Sequence, residues 1–178
     1  SMEEHNQSLI DNINKYVKDK DILYHTGDWA MGGILSIYEF RKALNCRTIH
    51  LILGNHDEHI RSNKIIKTDK GYLNLQSLFT SVQEVLDKKI GGQRMILFHY
   101  PLRSWHKASH GSWNLHGHHH GDFPSYELAK VPVYGENKSM VLKPLYAKQQ
   151  DIGMDGHPEF RPYHLEELRE IMKDRVTF

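Results

Sequence analysis

Four short apolar runs of this chain end abruptly, often at a glycine, and each is followed at once by a carboxylate, an amide or an imidazole. The runs are DILYHTGD, RTIHLILGNHD, QRMILFHY and SWNLHGHHHG, and the residues that follow are Asp28, Asn55 with His56, His99, and His118 with His120. Apolar runs of this length bounded by turn residues read as buried strands. In α/β folds the loops at the carboxyl ends of neighbouring strands come together, and sites are built there. The four segments are therefore expected to converge on one point.

The residue types at that point select a chemistry. Of the 14 histidines, seven lie between His99 and His120, and neutral imidazole is the commonest metal ligand. A carboxylate such as Asp28 can give one oxygen to each of two divalent ions, while an asparagine oxygen and imidazoles complete a set of N and O donors. Such a set suits Mn²⁺, Fe, Zn²⁺, Ni²⁺ or Co²⁺, manganese foremost, over Mg²⁺ or Ca²⁺. Two such ions about 3.5–4 Å apart activate a bridging hydroxide and clamp a phosphoryl group for in-line displacement. His118 and His120, two residues apart, fall on one side of an extended backbone and are placed to serve adjacent ions.

Around these runs the periodicity predicts a helix over 3–18 with Leu9, Ile10, Ile13, Tyr16 and Val17 on one face. A second helix over 33–44 is expected to turn Ile34, Tyr38 and Leu44 inward. Residues 58–78 read as polar and partly helical. Gly91-Gly92 sits between two strand-like runs as a two-residue hairpin turn. Residues 122–149 read as a loop-rich excursion with two short strands, a candidate lid over the site. QQDIGMDGH resembles a strand and a turn. The chain closes with a helix over 164–173 that groups Leu165, Leu168, Ile171 and Met172. A single domain over 1–178 fits the length.

Composition narrows the function. A formal charge of +1 advertises neither a long nucleic acid nor a membrane surface, though a nucleotide-sized substrate needs only a few local cations. The lone Cys46 excludes an internal disulfide framework and suits a reducing compartment. The polar opening stretch matches no signal or transit peptide, and no apolar run is long enough for a membrane span, so the cytoplasm is the expected location. In PLRSWHKASHGSWNL, Arg103 has the fork geometry to pair a phosphate bidentately. Trp105 and Trp113 either stack a base or pack on the core, and Lys107 and His110 read as surface residues. His25 and Trp29 read as packing or supporting residues rather than ligands.

YHTGDW, LILGNHD, HYPLRSW, HGSWNLHGHHHG and DIGMDGH, in this order, resemble the calcineurin-like metallophosphoesterases, and within them the small bacterial and phage phosphoesterases. The resemblance implies a four-layer α/β/β/α sandwich, two mixed sheets flanked by helices, with the first strand lacking. It also implies hydrolysis of a phosphomonoester or phosphodiester by a bridging hydroxide between two divalent metals. Asp28 would bridge the metals; Asn55, His99 and His118 would ligate the second, and His120 the first. His56 would be the general acid that protonates the leaving oxygen, with Asp57 orienting it, and Arg103 would contact the substrate.

The family opens on a strand ending in Asp-x-His, which supplies two ligands to the first metal, and no Asp-x-His precedes Asp28. The expectation is an active binuclear enzyme of which this chain is a shortened version. The alternative is a catalytically impaired binding domain that lacks the first-metal ligands. A missing central strand would also leave an unpaired edge and make an oligomer an expected outcome. The substrate class implied is a small phosphoester or nucleotide.

Overall fold

Parallel pairing of the first two strands sets the frame of the molecule. The computed structural model describes residues 2–122, 125–134 and 139–177. Strands β1 (Ile22–His25) and β2 (Thr48–Ile52) run parallel, Ile22 opposite Thr48 and His25 opposite Leu51. β5 (Ser81–Gln83) joins β2 in parallel on its other side, giving a three-stranded sheet in the order β1-β2-β5. The second sheet has the order β11-β8-β7-β6, formed by β6 (Val85–Ile90), β7 (Gln93–Phe98), β8 (Trp113–His116) and β11 (Gln149–Asp151). In it β7, β8 and β11 are parallel and only β6 is antiparallel. Gly91 and Gly92 link β6 to β7 with φ of 55° and 87°, the left-handed pair that a two-residue hairpin turn demands.

Side chains alternate across β2 as strand geometry requires. Ile49 and Leu51 join Leu23 of β1 in a cluster with Ile13 and Val17 from the first helix and its end, and with Ile37 of the second helix. These helices are α1 (Met2–Tyr16) and α2 (Ile34–Ala43). Ile52 points the other way, into a cluster with Met95, Leu97 and Leu115 of the second sheet, and Tyr24 stacks on His50 at 5.0 Å. The two sheets therefore face one another, with helices on the outer side of the first. Helix α4 (Leu165–Lys173) adds Leu168 and Met172 to the cluster between the sheets. The far face of the second sheet is covered by Trp105, Ala108 and Ala147 packed with Ile96. The result is the mixed α/β sandwich anticipated above, with α4 against the inner face rather than forming a separate outer layer. No helix among the described residues is long and apolar enough to cross a membrane.

Two stretches depart from expectation. After a single helical turn, α3 (Glu58–Arg61), residues 58–78 form a hairpin of β3 (Ile65–Thr68) and β4 (Gly71–Asn74) and then a 3₁₀ turn, Leu75–Leu78. The excursion over 122–149 holds longer strands than anticipated, β9 (Glu127–Tyr134) and β10 (Met140–Tyr146), paired antiparallel. Residues 123–124 and 135–138 of that excursion lie outside the described residues.

Between the sheets runs a cavity of about 1040 Å³. Tyr16, Tyr24, Leu97, Leu115, Phe160 and Leu165 are among its apolar walls, and Asp28, His56, His118 and His120 line it as well. β1 has β2 on one side, and among the described strands none pairs with its other edge.

Candidate metal centre

The parallel strands β1 and β2, and β7 and β8, send their carboxyl-terminal loops to one side of the sandwich. Asp57 ties two of these loops together. It is 2% exposed, and its Oδ2 accepts from the backbone N–H of Asp28 and of Gly54, both at 2.8 Å, while Oδ1 accepts from Trp29 N–H at 2.8 Å. Trp29 is itself buried, with Phe40 and Phe79 edge-on at 5.0 and 4.8 Å. Asp28 is thereby held at φ 54°, a left-handed conformation of the kind found where backbone strain is retained for function. Gly54 permits this approach: a Cβ there would lie 2.2 Å from Asp28 Oδ1 and 2.5 Å from its backbone nitrogen. Asp28 Oδ1 also accepts from His56 N–H at 2.9 Å, which fixes the loop after β2 against the carboxylate.

His99 enters from β7 and is 1% exposed. Its Nδ1 lies 2.7 Å from the carbonyl oxygen of Thr26, which can only accept, so the ring proton sits on Nδ1. The Nε2 lone pair then faces Asn55 Oδ1 at 2.9 Å, His118 Nδ1 at 3.2 Å and Asp28 Oδ2 at 3.5 Å. With the Asn55 oxygen turned inward and His118 in its Nε2–H tautomer, four acceptor atoms converge on one point with no donor among them. A cation resolves that conflict, and the donor set of carboxylate, amide oxygen and two imidazoles suits a borderline divalent metal. Burial first, and then the neighbouring His99, hold His118 below the ordinary histidine value, which keeps it in the neutral form a metal requires. Its φ of 71° is left-handed as well. The ligand atoms of Asp28, His99 and His118 all lie within 4.8 Å of one another, the one such group of three among the described residues.

His120 lines the same cavity but stands outside this group. Its side chain is 73% exposed, and its Nδ1 is bonded to Asp155 Oδ2, which pushes its pKa up. The residues present thus fit one ion fully. For a second ion, the sequence-derived donors are Asp28 and His120 alone. His56 is exposed at the cavity wall. Arg103 is exposed too, and its guanidinium lies over the Tyr126 ring at 6.0 Å. Trp105 and Trp113 are buried packing residues, 8% and 4% exposed. His25 packs edge-on against Trp29 at 4.9 Å and accepts from Gly27 N–H, and burial lowers its pKa.

Sequence reasoning passed over Thr26, whose carbonyl sets the His99 tautomer, and the bond from His120 to Asp155. Thr26 acts through its backbone, which leaves no mark on residue type. Asp155 lies in plain view within DIGMDGH, but nothing in the sequence pairs it with His120.

The sequence matches the family described as calcineurin-like phosphoesterase over residues 4–141. An uncharacterized protein of Methanocaldococcus jannaschii is 31% identical over 128 residues, which are 68% of this chain and 57% of that protein. The chain therefore spans little more than half the length of that relative. No solved structure gives a significant match. Metal dependence is a property of the matched family, and the donor cluster at the loop ends is of the kind it needs. On the extent of that match, the chain belongs to the calcineurin-like phosphoesterases.

Proposed function

We propose that this site hydrolyses a small phosphoester or nucleotide, as a phosphomonoesterase or phosphodiesterase. The observation that carries the reading is the convergence of Asp28, Asn55, His99 and His118 on one point. In this reading those four residues hold one divalent ion, manganese foremost, and Asp28 with His120 contributes to a second. Bound ions would supply Lewis-acid polarisation of the phosphoryl group and activation of water. The chain's own residues do the rest. His56, tethered by its backbone to Asp28 and exposed at the cavity wall, donates a proton to the leaving oxygen. Asp57 holds the loops that carry both Asp28 and His56. Arg103, exposed beside Tyr126, receives the substrate's phosphate.

One observation favours a second reading, a domain that binds a phosphate ligand without turning it over. The donors to that second ion number two, and one of them, His120, stands outside the cluster of Asp28, His99 and His118. Metal stoichiometry after loading with Mn²⁺ and removing excess, followed by hydrolysis of an aryl phosphodiester with and without chelator, separates the two. Two ions per chain with chelator-sensitive turnover support the enzyme. One ion without turnover supports the binding domain. With an active protein, His56→Asn should slow esters with poor leaving groups by roughly 10²–10⁴-fold, and should spare an aryl phosphate.

A further inference from the structure

We propose that Asp155 is a positioning residue, whose carboxylate holds the proton of His120 on Nδ1 and so leaves the ring's lone pair on Nε2, the atom with which it would ligate. The proposal rests on the metal-centre reading above, but the geometry behind it is separate. β8 and β11 are parallel, with His116 opposite Asp151, so the loops that leave them run side by side. Asp151, 5% exposed, clamps both loops: its Oδ2 accepts from Gly121 N–H at 3.1 Å and its Oδ1 from Gly153 N–H at 2.8 Å. Beyond the clamp the two backbones touch. A Cβ on Gly121, where φ is 80°, would lie 2.8 Å from Gly156 Cα, and one on Gly156 would lie 3.1 Å from Gly121 Cα. His120 precedes the first glycine and Asp155 the second, and their side chains meet as Nδ1 and Oδ2.

An ionised carboxylate only accepts, so this bond requires the proton on Nδ1. A ring as exposed as that of His120 has no packing to choose its tautomer or rotamer, and the partner makes the choice instead. Ligand histidines are commonly fixed in this way by a carboxylate on the far nitrogen. The DIGMDGH segment is thereby accounted for: Asp151 clamps, Gly156 allows the contact, and Asp155 sets the ring.

The test is nitrogen-15 NMR of the imidazoles in the full chain, at a pH where His120 is neutral, with Asp155→Ala and Asp155→Glu alongside. The wild-type protein should hold His120 as the Nδ1–H tautomer. Asp155→Ala should shift it toward Nε2–H and leave the other ring signals in place, and Asp155→Glu should restore most of the native state. In Zn²⁺ titrations, Asp155→Ala should weaken the looser binding step roughly 10–100-fold and leave the tighter one unchanged. A wild-type His120 protonated on Nε2, or a tautomer indifferent to Asp155→Ala, would overturn the proposal. A wild-type chain that takes up no Zn²⁺ would overturn the metal-centre reading as well, whereas the tautomer result bears on Asp155 alone.

Discussion

Asp57 stands beside His56 in the sequence, yet its carboxylate bonds to the amides of Asp28, Trp29 and Gly54. Its influence on His56 therefore passes through the backbone. Charge-assisted hydrogen bonds in a buried place are strong, and removing the acceptor leaves the amides without partners. Asp57→Ala should lower the unfolding free energy by about 2–4 kcal/mol, and Asp57→Asn by less, since its oxygen still accepts. Urea denaturation measures this, with Asp19→Ala as a surface control expected near zero. A loss under 1 kcal/mol for Asp57→Ala would mean that other contacts hold the two loops together. At this scale the sequence was readable wherever a donor sits directly after a strand, because the strand end itself places it: Asp28, Asn55, His99 and His118 meet. It was silent on partners joined only by tertiary packing, such as Thr26 with His99 and Asp155 with His120, which lie 73 and 35 residues apart.

Elements with a strong period and explicit end signals were readable, and those decided by pairing were not. α4 shows the first case. Leu168 and Met172 are buried as its spacing predicts, and its start carries a capping box, with Glu167 Oε2 accepting from His164 N–H at 2.7 Å. The hairpin of β3 and β4 shows the second: the paired Ile66 and Leu73 face the core, but the adjacent apolar Ile65 and Tyr72 are 63% and 75% exposed, so residue type alone does not mark the inward face. The α4 start also carries a pH dependence. Arg161 holds Glu167 bidentately, at 2.8 and 2.5 Å, and this pairing first, then the bond from His164, brings the Glu167 pKa down to about 2. A depressed carboxylate pKa adds stability above the ordinary glutamate value, and that stability is lost as pH falls through the folded value. Glu167→Gln should therefore cost about 1–2 kcal/mol at pH 7, after allowance for solvent screening of a partly exposed pair. The difference from wild type should shrink below pH 4.5 and vanish near pH 2, as thermal unfolding across that range would register. A difference constant with pH would assign the cost to lost hydrogen bonding alone.

For the whole molecule, the cavity between the sheets is the feature that local sequence patterns could not announce, because it belongs to surfaces contributed by α1, β1, β7, β8 and α4 together. Its size decides its nature. Were about 1040 Å³ sealed and empty, cavity formation at about 24 cal/mol per Å³ would cost on the order of 25 kcal/mol. A domain of this size has about 5–15 kcal/mol in total, so the folded chain cannot sustain such a void. The space is instead a groove open to water, with the partly exposed Tyr16, Tyr24, Phe160 and Leu165 along its walls and, beside it, the edge of β1 that no described strand pairs. Apolar walls of that extent take up hydrophobic dyes, which a close-packed interior of ordinary density excludes. The native protein should therefore enhance the fluorescence of an anilinonaphthalene sulfonate without denaturant, and Leu165→Asp, which places a charge on the partly exposed wall, should reduce the enhancement. A far-UV spectrum and a sharp near-UV spectrum recorded on the same samples separate dye uptake by a folded groove from uptake by a loosened core. A native-like spectrum without dye binding would show that the two sheets close on each other in solution. Asp28, His99 and His118, which line the same space, would then be shut off from any solute entering between them.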